Sequence, residues 1–382
     1  MKNLELKQIL IRGEDSQHQF KQNISNANSL ATEMVAMANA QGGKIFIGVD
    51  DNGDIIGLSS DDIRRLNQLV SNVASQSIKP PINPLTENVQ TDQGLIIVIS
   101  VAEGLNKPYS DNAGIFWVKS GADKRRVTSR EEIQRMFQAA GLVYADEVPV
   151  LNTSKEDLDQ SLFKAYYNKR YNQELNEISS RLLENLGLLK SEQLTLTGLL
   201  LFGINPQRFK PAFVVKAMMF PANDLNITSY LDSEDIEGTH KEIYKKSFAF
   251  IRRNLHHIQN GQSVNSVGEL EIPPVVIEEL LVNAMIHRDY FISAPIRLFI
   301  FRNRIELISP GHLPNHLTTE QIRYGISNMR NPLLASHGSH ILPYRGLGTG
   351  IPRALEYYND IEIIDDRVAN QFKVIIKRPL WE

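Results

Sequence analysis

Apolar and polar positions in the first 140 residues predict a domain with both helices and strands. Residues 27–40 place apolar side chains at helical spacing, and a glycine pair follows them. The run Asp51-Asn52-Gly53 predicts a tight turn after the next apolar segment. A further helix is predicted to begin at Ser129, because serine caps helices and Glu132 stands where a reciprocal bond would form. Short apolar runs predict strands at 44–49, 95–101 and 115–118.

After residue 140 the pattern of apolar positions changes twice, first to a helical segment and then to a mixture of strands and helices. Residues 155–190 lack strand signals and are predicted to be helical. From residue 195 onward, apolar strands alternate with helices, which are predicted at about 240–259 and after the proline pair 273–274. The predicted fold class is therefore α/β in the α+β sense, with an N-terminal mixed-sheet domain, a helical connector and a C-terminal α/β sandwich that carries its helices on one sheet face. The predicted domain boundaries are 1–143, 144–192 and 193–382.

Length and composition narrow the class of protein. The chain has 382 residues, a length that exceeds one ordinary hydrophobic core and suggests two or three domains. Hydrophobic residues make up 42% of it, which is typical of a packed globular protein. Cysteine is absent, so disulfides, thiolate metal sites and a cysteine nucleophile are excluded. The N-terminus has no signal-peptide core, and no apolar stretch reaches the roughly 18 to 20 residues of a membrane span. These features predict a cytoplasmic protein that does not contact a membrane.

The charge pattern limits any nucleic-acid surface to a local patch. The net charge is -3, and residues 1–140 contain 15 Lys and Arg against 16 Asp and Glu. Binding to nucleic acid would therefore depend on a few side chains and would be sensitive to salt. The densest basic patch lies beside Trp117, where a helix N-terminus could also face phosphates. A solvated polar turn explains the same residues equally well. The patch consists of Lys119, Lys124, Arg125, Arg126 and Arg130.

A connected series of motifs runs through the N-terminal domain. It begins with Glu14-Asp15-Ser16-Gln17-His18-Gln19-Phe20-Lys21, continues with a helix that ends in Ala38-Asn39, and closes with Gly42-Gly43 and IGVDDNGDIIG. In this order the motifs resemble the Schlafen-type AlbA domain, a divergent AAA DNA-binding domain, over roughly residues 10–140. The resemblance implies that DNA or RNA is the partner. It also implies that Lys21 contacts the nucleic acid together with the basic patch.

The same resemblance leaves a nuclease open as an alternative. Some Schlafen proteins cut RNA with a trio of acidic residues, which a divalent cation can bridge. Glu14, Gln19 and Asp50 or Asp51 stand at the matching positions, so Glu14 and Asp51 would be metal ligands in a nuclease. Gln19 replaces the middle carboxylate and is a poorer cation ligand, which favours binding without cleavage. The turn at 50–54 is also typical of a solvated hairpin tip.

A second constellation begins in the helix predicted after the proline pair. Glu279, Asn283 and His287 are spaced by four residues and form one polar stripe, opposite an apolar face. A carboxylate one turn from an amide suits magnesium-assisted nucleotide hydrolysis. The amide oxygen would ligate the ion, and the carboxylate would orient or deprotonate water. Downstream follow SPGHLP at 309–314, Arg330-Asn331-Pro332 and RGLGTGIPRAL at 345–355.

In this order the elements resemble the ATP-binding module labelled RecG-like helicase C-terminal, over about residues 195–360. That module is a divergent relative of the GHKL fold of gyrase, Hsp90, histidine kinases and MutL. The resemblance implies ATP and Mg²⁺ as cofactors, Glu279 as the ATPase base and Asn283 as the Mg²⁺ ligand. It further implies a glycine turn that binds phosphate, a helix at 351–358 and a lid at about 312–345. The implied cofactor-binding residues are Asn283, His287, Gly311, Arg345, Gly346, Gly348, Thr349 and Gly350.

Together the two resemblances imply a bacterial transcriptional regulator that binds nucleic acid and is switched by an ATP-type domain. A homodimer is the expected assembly. Many relatives add a C-terminal winged helix. This sequence ends at Trp381-Glu382 without one, so DNA binding is expected to fall to the N-terminal domain. The alternatives are a metal-dependent endoribonuclease, an ATPase that acts with a protein partner, and a structural relic of the ATP-binding fold that only packs or dimerises.

Overall fold

The computed structural model of the chain describes residues 3–225, 229–259, 268–314 and 317–379. Its contacts divide the chain into two compact units, residues 1–143 and 144–382. Each unit contains helices, strands and hydrophobic clusters of its own. This composition confirms the predicted α/β class.

The first unit alternates helices with mostly short strands along the chain. The bounds are α1 Asn3–Arg12, β1 His18–Lys21, α2 Ala27–Asn39, β2 Gly43–Ile47, α3 Ser60–Gln76, β3 Ile78–Lys79, β4 Leu85–Thr91, β5 Gly94–Val101, β6 Ser110–Asp111, β7 Trp117–Ser120, β8 Asp123–Arg126 and α4 Arg130–Ala139.

A four-stranded mixed sheet with the order β1-β2-β5-β4 forms the centre of the first unit. β1 and β2 are parallel, whereas β5 is antiparallel to both of its neighbours. Helix α2 is apolar enough to be buried along most of its length, and it is capped by Asn26, whose side chain accepts from the amide nitrogens of Asn28 and Ser29. At its other end the Asn39 amide donates to the carbonyl oxygens of Tyr109 (2.8 Å) and Trp117 (2.9 Å). Asn39 therefore fixes the strand that carries the basic patch to the end of α2.

The second unit has longer strands and more helices. The bounds are α5 Gln160–Tyr171, α6 Ser180–Asn185, β9 Leu189–Lys190, β10 Gln193–Leu194, α7 Leu196–Phe202, α8 Pro206–Phe209, β11 Val215–Met219, β12 Asp232–Ile236, α9 His240–Asn254, β13 His257–Ile258, β14 Glu269–Leu270, α10 Pro274–His287, β15 Ile296–Ile300, β16 Arg304–Pro310, α11 Thr319–Arg323, α12 Pro332–Gly338, α13 Gly350–Tyr357, β17 Ile361–Asp366 and β18 Gln371–Lys377.

A six-stranded sheet with the order β12-β11-β15-β16-β18-β17 organises the second unit. Only the β11–β15 pair in it is parallel. Alternate strand residues such as Leu298 and Ile300 pack with the buried faces of α9, α10 and α13. Their neighbours Phe299 and Phe301 project to the opposite face and cluster with Phe220. The helices that matter for the candidate site thus share one face of the sheet.

Residues 144–192, where a helical connector is expected, fold inside the second unit. They contain α5, α6, β9 and two 3₁₀ turns, Ala145–Glu147 and Lys155–Asp157. Phe163 and Leu183 are fully buried in a cluster shared with α7. This segment has no core apart from that cluster, so it is part of the packed unit.

The predicted lid at 312–345 is wrong for its second half. Leu334 on α12 is fully buried in the same cluster as α7. The buried Asn331 amide donates to the carbonyl oxygens of Ile286 (2.8 Å) and Arg288 (2.9 Å). Helix α12 is therefore packed into the second unit, and Asn331 holds its start to the end of α10. Residues 315 and 316 of the predicted lid lie outside the described part of the chain.

Candidate functional site

A cleft in the second unit collects the polar residues that the C-terminal motifs single out. It encloses about 1080 Å³, part of which is open to solvent. Helix α10 and strands β16 and β18 line it, together with the loops that follow β16 and precede α13. The predicted residues among its lining are Glu279, Asn283, His287, Gly311, Arg345, Gly346, Gly348, Thr349 and Gly350.

Gly350 lies directly against the two groups predicted to handle magnesium and water. A Cβ atom on Gly350 would come within 2.7 Å of Asn283 Nδ2 and 2.8 Å of Glu279 Oε2, closer than real Cβ atoms approach other groups. Glu279 and Asn283 project from the same face of α10, one turn apart. The first residue of α13 therefore meets both side chains at one corner of the cleft.

Hydrogen bonds at this corner orient both α10 side chains. Asn283 Nδ2 donates to the Glu279 carbonyl oxygen at 2.7 Å, so Oδ1 is the amide atom left to bind a ligand. Glu279 Oε1 accepts from Arg353 Nη1 at 3.1 Å. Arg353 belongs to α13, and its pairing with Glu279 was not foreseen from the sequence.

The turn before α13 presents backbone N–H groups. Thr349 is the N-terminal cap position but makes no side-chain cap bond. Because Pro352 has no N–H, Gly350 and Ile351 carry the donors of the first turn. Gly348 has a φ of +72°, and a Cβ there would collide with the Gly325 carbonyl oxygen. Unpaired donors at a helix N-terminus suit an anionic group such as phosphate.

His287 stands one turn beyond Asn283 on the polar stripe of α10. Its Nε2 lies 3.2 Å from the Tyr344 hydroxyl. Burial, together with the nearby charge of Arg330, lowers the pKa of His287 to about 4. The imidazole is therefore neutral near pH 7. His287 can act in the cleft as a hydrogen-bonding group, but it brings no positive charge to a phosphate.

Several lining residues were not foreseen as site residues. Tyr344 and Arg330 reach the cleft from loops whose folding against α10 depends on the tertiary structure. The motif Arg330-Asn331-Pro332 is visible in the sequence, but its spacing gives no sign of this contact. Ser309, on β16, is buried and lines the cleft. The apolar part of the lining includes Leu280, Leu307, Leu313, Ile322, Phe372 and Val374.

In the first unit, the residues of the nuclease alternative are engaged with their neighbours. Glu14 Oε1 accepts from the Gln19 side-chain amide and from the Phe20 amide nitrogen at 2.7 Å, and Lys21 Nζ lies 3.8 Å away. Asp50 Oδ1 accepts from its own turn, and Asp51 is exposed. Within the described ranges, no group of three or more His, Cys, Asp or Glu residues is placed to hold a metal ion.

Lys119, a member of the predicted basic patch, is buried and does not belong to an exposed basic surface. The Lys119 side chain is only 2% exposed, and its ammonium binds Glu33 Oε1 (2.9 Å), Gln19 Oε1 (3.0 Å) and the Ala122 carbonyl oxygen (2.5 Å). Lys124 Nζ pairs with the other Glu33 oxygen at 2.8 Å. Burial raises the pKa of Glu33, but the bonds and charges of Lys124 and Lys119 outweigh it and keep that pKa below its ordinary value. Lys119 therefore neutralises a buried acid and is not presented to phosphate.

The exposed cations of the patch lie at the end of β8 and the start of α4. Ser129 caps α4 by accepting from the Glu132 amide nitrogen at 3.2 Å. The Glu132 carboxylate binds Arg125 (2.9 and 2.5 Å), so the predicted capping box lacks its returning bond. Arg126 and Arg130 are exposed and have no ionic partner among the described residues. These two arginines are the members of the patch that remain available to an anionic partner.

Two family models match parts of the chain. Residues 14–128 match the model described as "Schlafen, AlbA_2". Residues 293–375 match the model described as "Putative ATP-dependent DNA helicase recG C-terminal". Each match covers less than half of the chain, and the two matched stretches are called the AlbA_2 segment and the recG C-terminal segment below. Glu279, Asn283 and His287 precede the recG C-terminal segment, whereas Gly311 and the turn 345–350 lie inside it.

Solved structures give two further similarities. The DIP2311 protein from Corynebacterium diphtheriae is 19% identical, with a TM-score of 0.47, over 99% of this chain and 80% of that one. The N-terminal domain of a RecG-related protein from Nitrosomonas europaea is 25% identical, with a TM-score of 0.23, over 33% of this chain and 91% of that one. No curated protein matches the chain.

The two segments associate the chain with nucleic acid and with ATPase-type nucleotide binding. None of the helices in the described ranges is both long and apolar enough to cross a bilayer.

Proposed function

We propose that this protein binds nucleic acid as a transcriptional regulator, and that Mg²⁺–ATP binding to the recG C-terminal segment and α10 switches it. The observation that carries the proposal is the corner where Gly350 meets Glu279 and Asn283. There, a carboxylate, an amide oxygen and free helix amides lie within the reach of one ligand.

The residues present fit a magnesium-bound nucleotide. A bound Mg²⁺ would supply charge neutralisation to the phosphates. Asn283 Oδ1 is the oxygen that would ligate it, and the amides of Gly350 and Ile351 would hold phosphate oxygens. Glu279 would orient or deprotonate a water molecule. For that role its pairing with Arg353 must loosen.

Exposed arginines of the first unit support the nucleic-acid part of the proposal. Arg126 and Arg130 carry charge at the surface without an ionic partner among the described residues, and Arg125 and Lys21 lie in exposed or half-buried ion pairs. Phosphate contacts of this kind give modest, salt-dependent affinity without base recognition. The expected partner is thus the backbone of DNA or RNA.

Nucleic-acid retention with and without nucleotide tests the proposal. Labelled duplex and single-stranded DNA and RNA are titrated with the protein at two salt concentrations, with and without Mg²⁺–ATP. We expect salt-sensitive retention that nucleotide alters, and we expect Asn283→Ala to bind nucleic acid without the nucleotide effect. Arg126→Gln combined with Arg130→Gln should weaken retention and reduce its salt dependence. The absence of retention on every probe at both salt concentrations would end the proposal.

Cleavage of RNA is the less favoured function. The Lys119 ammonium is bound by Gln19 and Glu33, beside the Glu14 position that a metal-dependent nuclease would use. Incubating tRNA with protein and Mn²⁺ checks this, with Glu14→Ala as the control. The alternative would gain support only if the protein cuts and the variant does not. The homodimer and the cytoplasmic location stay predictions.

A further inference from the structure

Arg330 is a largely buried cation that lacks an ionic partner. Its Nη2 donates to the His312 carbonyl oxygen at 2.7 Å, and its buried Nε has no hydrogen-bond partner. No carboxylate of a described residue lies within ion-pair distance. Asp289 and Asp365 act on it only from farther away, and burial lowers the pKa of the Arg330 guanidinium. Burying an unpaired charge is costly, so an uncompensated arginine calls for a functional reason.

The cleft that Arg330 lines offers little negative charge to compensate it. Among the described lining residues, Glu279 is the only carboxylate, and Arg353 already pairs with it. Arg345 adds a second, exposed positive charge to the lining. The lining is therefore positive overall and favours an anionic ligand.

The chain before Arg330 runs beside the glycine turn. A Cβ on Gly348 would lie 3.3 Å from Ser327 Oγ, and a Cβ on Gly346 would lie 3.9 Å from Met329 Cε. Arg330 follows at the end of this strip, and its guanidinium lies against Gly311, where a Cβ would come within 2.6 Å of Nη1. Gly311 thus leaves the space in which the guanidinium reaches the cleft.

We propose that Arg330 binds a phosphate oxygen of the ligand, so that the ligand supplies the negative charge with which no described carboxylate pairs it. This inference rests on the proposed function, because it concerns the same cleft. Two consequences follow. Losing the guanidinium should weaken the binding of phosphate-bearing ligands, yet it should leave the ligand-free protein at least as stable as before. If Arg330 instead only stabilises the fold through its bond to the His312 carbonyl oxygen, its loss should lower the stability of the ligand-free protein and leave the ligand affinity unchanged.

The test compares Arg330→Met and Arg330→Lys with Arg323→Met, an exposed α11 arginine that does not line the cleft. Calorimetric titration with Mg²⁺–ATP and with sodium tripolyphosphate gives the affinities, and urea unfolding gives the ligand-free stability. We expect Arg330→Met to bind both ligands at least about tenfold more weakly, because hydrogen bonds to charged groups contribute that much. Arg330→Lys should lose less, and Arg323→Met should match wild type.

Unchanged affinity of Arg330→Met for both ligands would overturn the inference while leaving the nucleotide proposal intact. If wild type binds tripolyphosphate but not ATP, the proposed function fails, and the loss of tripolyphosphate binding in Arg330→Met still supports the anion site. If wild type binds neither ligand, both ideas are overturned.

Discussion

Replacing Gly350 with alanine perturbs the corner of the cleft where Glu279, the predicted base, and Asn283, the predicted Mg²⁺ ligand, meet the glycine turn. The added Cβ would lie 2.7 Å from Asn283 Nδ2 and 2.8 Å from Glu279 Oε2, whereas ordinary contact begins at 3.4 Å. Each side-chain end must therefore retreat by about 0.6 to 0.7 Å. Both are ends of flexible side chains, and Gly350 has no left-handed backbone conformation, so the substitution should strain the fold little.

The expected free energy of unfolding of Gly350→Ala lies within about 1 kcal/mol of wild type, because alanine also favours the helical backbone that Gly350 adopts. The displaced amide and the blocked corner should weaken Mg²⁺–ATP binding by at least about tenfold, or about 1.4 kcal/mol. Urea unfolding measures the first quantity, and calorimetric titration measures the second.

Gly346→Ala provides the contrasting variant. Gly346 has a φ of +68°, and a Cβ there would meet nothing nearer than 3.6 Å. Alanine at this position should lower stability by about 1 to 2 kcal/mol through backbone strain and should weaken nucleotide binding less than Gly350→Ala does. Wild-type affinity in Gly350→Ala would refute the assignment of this corner to the nucleotide site.

Three further predictions concern Glu33, Glu279 and the buried histidines. Glu33→Gln leaves the buried Lys119 ammonium without its counter-charge and should destabilise the first unit by about 3 kcal/mol in thermal unfolding. Replacing both Glu33 and Lys119 with methionine should recover much of the loss, and unchanged stability of Glu33→Gln would contradict the pairing. Glu279→Gln should lower any steady-state phosphate release by about 100-fold or more while leaving nucleotide affinity within a few-fold, and unchanged release would remove Glu279 as the base. In urea titrations between pH 6.5 and 4, the second unit should lose roughly 2 kcal/mol per pH unit. Buried histidines with a lowered pKa stabilise the fold above pH 6.5 and lose that contribution as the pH falls towards their folded values. Asp146, whose pKa burial raises to about 6, opposes this trend, because its contribution to stability is lost as the pH rises through 6. Stability that stays constant or rises in acid would contradict the lowered pKa values of the buried histidines. The histidines are His240, His287 and His337, with a pKa of about 3, 4 and 4.

Local sequence signals anticipated the elements that position the cleft. The period of the apolar positions and the proline pair predicted α10, and apolar runs predicted strands after residue 195, because these features depend on residues close together in the chain. The alternation of Phe299 and Phe301 with their neighbours likewise reflects the period of a strand.

Long-range pairing explains what the sequence left open. Lys119 looks like a surface cation in a basic run, but Glu33, 86 residues away, draws it into the interior. Helix α12, in the second half of the predicted lid, is packed into the core through Leu334, and Asn331 binds the carbonyl oxygen of Ile286. The place of Arg330 in the cleft has the same cause, since its contact with Gly311 exists only in the folded chain. Such partners have no fixed spacing that a motif could carry.

The dependence of thermal stability on Mg²⁺–ATP tests most directly whether the corner of Gly350, Glu279 and Asn283 is a nucleotide site. With nucleotide at 100 times its dissociation constant, the second unit should gain about 2.7 kcal/mol in unfolding free energy, and the gain should require Mg²⁺. In Asn283→Ala the Mg²⁺ requirement should disappear together with most of the gain. An unfolding transition that does not move at millimolar Mg²⁺–ATP, in protein that is folded and still binds nucleic acid, would contradict the account.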